Sequence, residues 1–367
     1  VNHTPSGKPR ARAIGIPFDG VPGALNAITD VAGVEVGYCT LISGEGPLVV
    51  GQGPVRTGVT AIFPHGRGGV AKPVFAGVHS LNGNGEMTGF VWIEEAGRLD
   101  GPITITNTHS CGIVRDATLR WLVEHGGLDL SVGWGLPVAA ETYDGKLNDI
   151  NGFHVRERHV FEALDVARGG PIEEGSVGGG TGMIAYEFKG GSGTASRRVA
   201  AAGETFTVGA FVQTNFGRRD QLLIAGVPVG RHLPKKDTAP DQGSIIGVIA
   251  TDAPLLPHQL KRLARRCGLG IGRSGAVASH TSGDIFLAFS TANASAVAGA
   301  GSVQQVAVLP DADLTPMFEA VIQAIDEAIL NAMVANETMT GRDGYTVEAL
   351  PHDAVREVLR KHGRLVG

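Results

Sequence analysis

Thr238-Ala239-Pro240-Asp241-Gln242-Gly243-Ser244-Ile245-Ile246-Gly247-Val248-Ile249-Ala250 changes character abruptly in its middle. A polar, proline-bearing loop stops at Gly243, and a continuously apolar strand begins at Ser244. A run of that kind fits a strand covered on both faces, so layers must lie on either side of it. Ser244 stands at the entrance. A serine there can attack the carbonyl of Gly243 and cut its own chain, after which it carries a hydroxyl and a free α-amine. Such an amine has an ordinary pKa of about 7.7–8.0 and can act as general base for its own hydroxyl, with no histidine involved. For a Gly-Ser pair taken alone, a plain loop-to-strand boundary is by far the commoner explanation, and the rest of the chain decides between the two.

Working outward, strand-like runs dominate: 33–42, 58–63, 73–79, 103–108, 182–188, 205–214, 221–229, 284–290 and 303–309 join the run from Ser244. Helices are predicted over 113–125, over 254–267 with Asp252 as N-cap and Gly268 as stop, over 316–336 with Thr315 as cap, and over about 353–362. The 55 glycines are roughly twice the average share, while aromatics make up only 5%. Small residues on that scale suit tightly packed sheets and short turns. The nearest thing to a linker, 232–242, reads as an exposed connection inside one fold. These features predict a single α+β domain over 1–367, with sheets packed on sheets and helices outside.

Several function classes are excluded. The net charge of −5 and scattered basic residues give no nucleic-acid stripe; Lys261-Arg262 with Arg265-Arg266 reads as the wet face of a helix. Cys39, Cys111 and Cys267 form no CxxC pair, so neither a disulfide framework nor a zinc site is expected. No apolar run approaches the length of a membrane span. The polar start, Val1 to Lys8, lacks a signal-peptide core, which predicts the cytoplasm, or the periplasm after removal of a leader. Gly270-Ile271-Gly272-Arg273-Ser274-Gly275 matches the dinucleotide fingerprint but follows a helix instead of a strand. Gly178–Met183 and Gly190–Thr194 lack the Lys-Ser/Thr of a phosphate loop and read as tight turns with close backbone approach. No cofactor and no metal are expected.

Three other segments carry chemistry. Ala140–Asp149 packs acids, a tyrosine and amides into a turn-rich stretch; Thr214-Asn215-Phe216-Gly217 ends a strong strand with an amide donor; Ser279-His280-Thr281-Ser282-Gly283-Asp284 enters another apolar strand. Polar groups at the ends of buried strands are where a rigid scaffold presents reactive side chains.

Together with Asn26–Val34, Asn82–Gly89, Thr106-Asn107-Thr108, Gly180–Met183, Gly341–Gly344 and Ala349–Asp353, these segments resemble the L-aminopeptidase/D-esterase family of self-processing serine aminopeptidases, which includes the β-peptidyl aminopeptidases. The resemblance implies a four-layer αββα sandwich, like that of N-terminal-nucleophile hydrolases but differently connected. It also implies cleavage between Gly243 and Ser244 into chains 1–243 and 244–367, which stay together in a homotetramer. Ser244 would be the nucleophile for self-cleavage and for substrate acylation. Asn215 would donate its amide to the oxyanion, Ser282 would hydrogen-bond the Ser244 amine, and Asp284, where some relatives carry glutamate, would orient Ser282. Glu141 would pair with the free ammonium of a small peptide, amino-acid amide or ester, and Tyr143 would border the same pocket.

Three rivals stay open. The acyl-enzyme can pass its acyl group to an amine, as in the related ornithine acetyltransferases, whose cleavage nucleophile is threonine. Ser282 with His280 as base, two apart on one strand face, can serve an uncut chain. A Gly-rich binding module needs no chemistry at Gly243-Ser244.

Overall fold

Alternating apolar side chains along the central strands decide how the layers stack. The structure, a computed structural model, describes residues 1–126, 133–234, 243–299 and 301–366, so most of the expected connection, 235–242, lies outside the described residues. The first half contains β1 (Glu35–Ser43), β2 (Val55–Phe63), β3 (Val74–Gly83), α1 (Phe90–Ala96), β4 (Arg98–Leu99), β5 (Ile103–Asn107), α2 (Cys111–Glu124), β6 (Val138–Thr142) and α3 (Glu157–Asp165). A short hairpin, β7 (Ile184–Ala185) and β8 (Phe188–Lys189), leads into β9 (Gly191–Ala201), β10 (Glu204–Asn215) and β11 (Ser244–Thr251). Then come α4 (Pro257–Arg273), β12 (Gly283–Ser290), α5 (Ala294–Ala298), α6 (Thr315–Val334), a second hairpin of β13 (Met339–Thr340) and β14 (Thr346–Val347), and α7 (His352–Lys361).

One sheet has the order β1-β2-β5-β6 and the other β4-β3-β12-β11-β10-β9. The β11–β12 and β5–β6 pairs are parallel, and α4 is the crossover between β11 and β12. Side chains alternate across each strand. On β11, Ile246 and Val248 point with Phe211 and Leu287 toward Ile62, Ile105 and Val138 of the smaller sheet. Ile245 and Ile249 join Phe286, Leu260, Leu263, Val321 and Ile325 beneath α4 and α6. The far face of the smaller sheet, through Val59, Ala61 and Phe63, packs on Val114 and Trp121 of α2 and Val160 and Leu164 of α3. The layers therefore run helix, sheet, sheet, helix, as the αββα expectation required.

Local expectations fared unevenly. Residues 221–229 form no strand; Arg219–Gln221 and Val229–Arg231 are 3-10 turns around an isolated Ile224–Val227 bridge. Their apolar spacing reflects burial of Leu222, Ile224, Val227 and Val229 rather than pairing. Residues 303–309 are largely exposed and unpaired into any named strand, and 182–188 contributes only the short hairpin. Of Gly190–Thr194, read as a turn, Gly191–Thr194 instead begins β9. Asp252 caps no helix but accepts from Thr207 N at 2.7 Å, while the side chain of Gln259 caps α4 at Leu256 N. α4 runs on past Gly268 to Arg273, so the fingerprint lookalike lies on a helix end.

No described helix is long and apolar enough to cross a membrane. Among the described residues, no group of three or more His, Cys, Asp or Glu is arranged to hold a metal ion.

Gly193 of β9 shows what the glycines do. A Cβ there would stand 2.1 Å from the carbonyl oxygen of Ala328, because the backbone of α6 rests directly on the strand. Gly193→Ala is therefore expected to lower unfolding stability by ~1–3 kcal/mol through overpacking, read from the urea midpoint. An unchanged midpoint would mean that the helix does not sit there.

Candidate active site

The site is built from strand register. Asn215, the last residue of β10, lies directly opposite Ser244, the first of β11. On the other side of β11, the parallel pairing sets Ile245 beside Asp284 and brings the Gly283 N–H to Ser244 Oγ at 3.0 Å. Flanking that glycine, Ser282 Oγ donates to Asp284 Oδ1 at 2.7 Å, and both residues are buried. The Asn215 carboxamide is fixed at each end. Its Oδ1 accepts from Ile184 N at 2.9 Å, and its Nδ2 donates to the Tyr143 carbonyl at 2.9 Å. An amide nitrogen has two hydrogens, so one donor remains for a ligand. Gly243 is pressed against the same residue: a Cβ there would stand 1.8 Å from the Asn215 carbonyl oxygen.

Ser244 opens onto a cavity of about 560 Å³ whose walls include Glu141, Tyr143, Thr108, Asn84 and Glu86. Glu141 sits near the end of β6, paired with Thr106 of β5, and is only 3% exposed. Its Oε1 accepts from Glu86 N at 2.9 Å, and its Oε2 accepts from the Thr108 hydroxyl. Burial pushes its carboxyl above the ordinary range; Thr108 and the Glu86 amide pull it back only partly, the nearby Glu86 charge pushes further up, and His109 exerts the smallest pull down. Among the described residues lining this cavity there is no Lys, Arg or His. The result is a cation-seeking carboxylate a short way from a hydroxyl that faces an amide donor.

All six side chains singled out in the sequence converge here: Ser244, Asn215, Ser282 and Asp284 through strand pairing and hydrogen bonds, Glu141 and Tyr143 through the shared cavity. His280 does not share a strand face with Ser282; it is exposed in the turn before β12. Sequence reasoning missed the Gly283 N–H, because backbone donors carry no residue signature. It also gave no role to Thr108 or Glu86, although both stand in segments that carried the resemblance.

The sequence pattern of peptidase family S58 matches residues 26–347. This chain belongs to peptidase family S58. It is 54% identical to the beta-peptidyl aminopeptidase BapA of Sphingosinicella microcystinivorans, over 97% of this chain and 93% of that one. The solved l-aminopeptidase d-ala-esterase/amidase of Ochrobactrum anthropi, described as a prototype for the serine aminopeptidases and a new variant of the Ntn hydrolase fold, superimposes with a TM-score of 0.91. The two are 51% identical, over 98% of this chain and 100% of that chain. A beta-aminopeptidase of a Burkholderia species gives a TM-score of 0.87 at 48% identity, over 96% and 99% of the two chains. The serine-aminopeptidase class and the variant Ntn fold expected from the sequence are borne out by these S58 relatives.

Because the Thr108 hydroxyl donates to the ionised form of Glu141, Thr108→Val is expected to raise that carboxyl's pKa further. Carboxylate carbon-13 shifts recorded against pH would show the titration moving upward. No movement would mean that the hydroxyl does not hold the charge.

Proposed function

We propose that this S58 peptidase cuts itself between Gly243 and Ser244 and then removes N-terminal residues from short peptides, amino-acid amides or esters. In self-cleavage the Ser244 hydroxyl attacks the Gly243 carbonyl, an ester replaces the peptide bond, and water hydrolyses the ester. Gly243 leaves as a carboxylate, and Ser244 gains a free amine. β11 is then the first strand of the short chain, still paired with β10 and β12 on its two sides, so 1–243 and 244–367 remain one folded body.

In turnover, Ser244 Oγ attacks the substrate carbonyl and its own amine takes the proton. The proton passes to the leaving amine or alcohol, and water hydrolyses the acyl-enzyme. The remaining N–H of Asn215 stabilises the oxyanion, a contribution that typically amounts to 10²–10³ in rate, roughly, for one donor. Ser282, oriented by Asp284, hydrogen-bonds the Ser244 amine. Glu141 accepts the substrate ammonium, and Tyr143 walls the same pocket. The observation that carries this reading is that Ser244, paired with Asn215 across two strands, shares one cavity with Glu141, a buried carboxylate that no ion pair among the described residues neutralises. A free N-terminus supplies the missing charge, and a blocked one leaves Glu141 unpaired.

Denaturing electrophoresis with N-terminal sequencing tests the first half: the smaller fragment is expected to begin Ser-Ile-Ile-Gly, and active enzyme that stays in one band would refute self-cleavage. Ser244→Ala is expected to remain uncut and inactive; normal turnover by that variant would remove Ser244 from its role. Glu141→Gln is expected to lower kcat/KM on free-amine substrates by a factor of roughly 10² or more, with little change on N-blocked esters. Equal losses on both would sink the ammonium site.

A further inference from the structure

Lys189 is fully buried, and among the described residues no carboxylate forms an ion pair with it. Its Nζ donates instead to two backbone carbonyls, Met183 O at 2.5 Å and Gly190 O at 3.2 Å. Burial pushes its pKa down to about 7. An ammonium without a counter-ion is costly in such a place, and a packed apolar side chain of similar volume would be easier to accommodate. The charge therefore calls for a reason beyond packing.

That reason lies one peptide away. The Met183 carbonyl and the Ile184 N–H belong to the same peptide group. Its oxygen accepts from Lys189, and its N–H donates to Asn215 Oδ1 at 2.9 Å. A positive donor on the carbonyl polarises the whole peptide and strengthens the hydrogen bond that its N–H makes. With Oδ1 held by Ile184, the Asn215 nitrogen must point the other way, where it donates to the Tyr143 carbonyl and keeps one hydrogen free. A flipped amide would turn oxygen, not hydrogen, toward the position where negative charge develops.

We propose that Lys189 is a positioning residue that, through the single Met183–Ile184 peptide group, fixes the Asn215 amide as the oxyanion donor. This rests on the role given to Asn215 above. The group acts on the reaction only through Asn215, so its effect belongs to the chemical step and not to substrate affinity.

The test uses the full-length chain with Lys189→Met, Asn215→Ala and the double variant, kcat being normalised to the cleaved fraction. Lys189→Met is expected to lower kcat by about 10-fold, part of the 10²–10³ that an oxyanion donor supplies, with KM nearly unchanged. In the Asn215→Ala background it is expected to lower kcat no further, because the two residues form one path. An unchanged kcat in Lys189→Met, or the same loss in both backgrounds, overturns the proposal. If instead Asn215→Ala costs nothing, the oxyanion role of Asn215 itself fails, which is a separate result. Thermal unfolding of each variant separates a lost fold from a lost alignment. Should Lys189→Met not accumulate, Lys189→Gln, which keeps a neutral donor, carries the same comparison, and full kcat in that variant with Asn215→Ala impaired overturns the role of the charge.

Discussion

The pairing of Asn215 with Ser244 across β10 and β11 is the constraint from which the rest of the site follows. It puts an amide donor beside a hydroxyl through backbone hydrogen bonds alone, and the parallel neighbour β12 adds the Gly283 N–H from the other side. A slip of one residue would send Ser244 to the opposite face of the sheet. What prevents the slip is apolar. Ile245 and Ile249 are committed to the core beneath α4 and α6, and Ile246 and Val248 to the core between the sheets. The greasy alternation of β11 is thus a positioning device for the polar residue at its start.

This explains what could be seen in the sequence. β11 and β12 were legible because they are buried on both faces, and α6 because it carries a long apolar stripe with proline in its first turn. β9 was not, since Gly191-Ser192-Gly193-Thr194 has the composition of a turn. Its glycine is there for the backbone of α6, and its hydroxyls are spent inside, Ser192 on Val177 O and Thr194 on Ala210 O. The six candidate side chains were singled out because polar groups at the ends of apolar strands drew attention to their segments and the family resemblance then gave each a role. Their supporting shell was not, because Lys189 between Phe188 and Gly190 looks like any surface lysine until the fold closes over it.

Two buried glutamates show how one chemical group serves different ends. Glu327 of α6 accepts from Arg12, Arg197 and Asn26; burial pushes its carboxyl up, but these partners outweigh burial and hold it below its ordinary value. Its charge is neutralised within the molecule and ties the segment before β1, together with β9, to the helix. Glu141 has comparable burial but hydrogen-bonds only a hydroxyl and a backbone N–H, with a smaller pull from the nearby His109, and burial wins. Hydrogen bonds to neutral donors orient a carboxylate without cancelling its charge. A carboxylate in that condition gains most from a cation that arrives from outside, and the open cavity in front of it admits one.

Lys189 is the mirror image of Glu141. It too lacks an ion-pair partner among the described residues, but it does not line the cavity at Ser244, and its influence on the site travels through the carbonyls it grips. An exposed pair of opposite charges would be screened by water and worth little. Held apart and buried, the two have different proposed roles: Glu141 toward the substrate amine, Lys189 toward the Asn215 amide proposed to face the substrate carbonyl. The distance between those two substrate groups is what a pocket anchored at both ends would measure. Under these proposed roles, selection for a free N-terminus at a fixed spacing from the scissile bond follows from where the fold places Glu141 and Lys189.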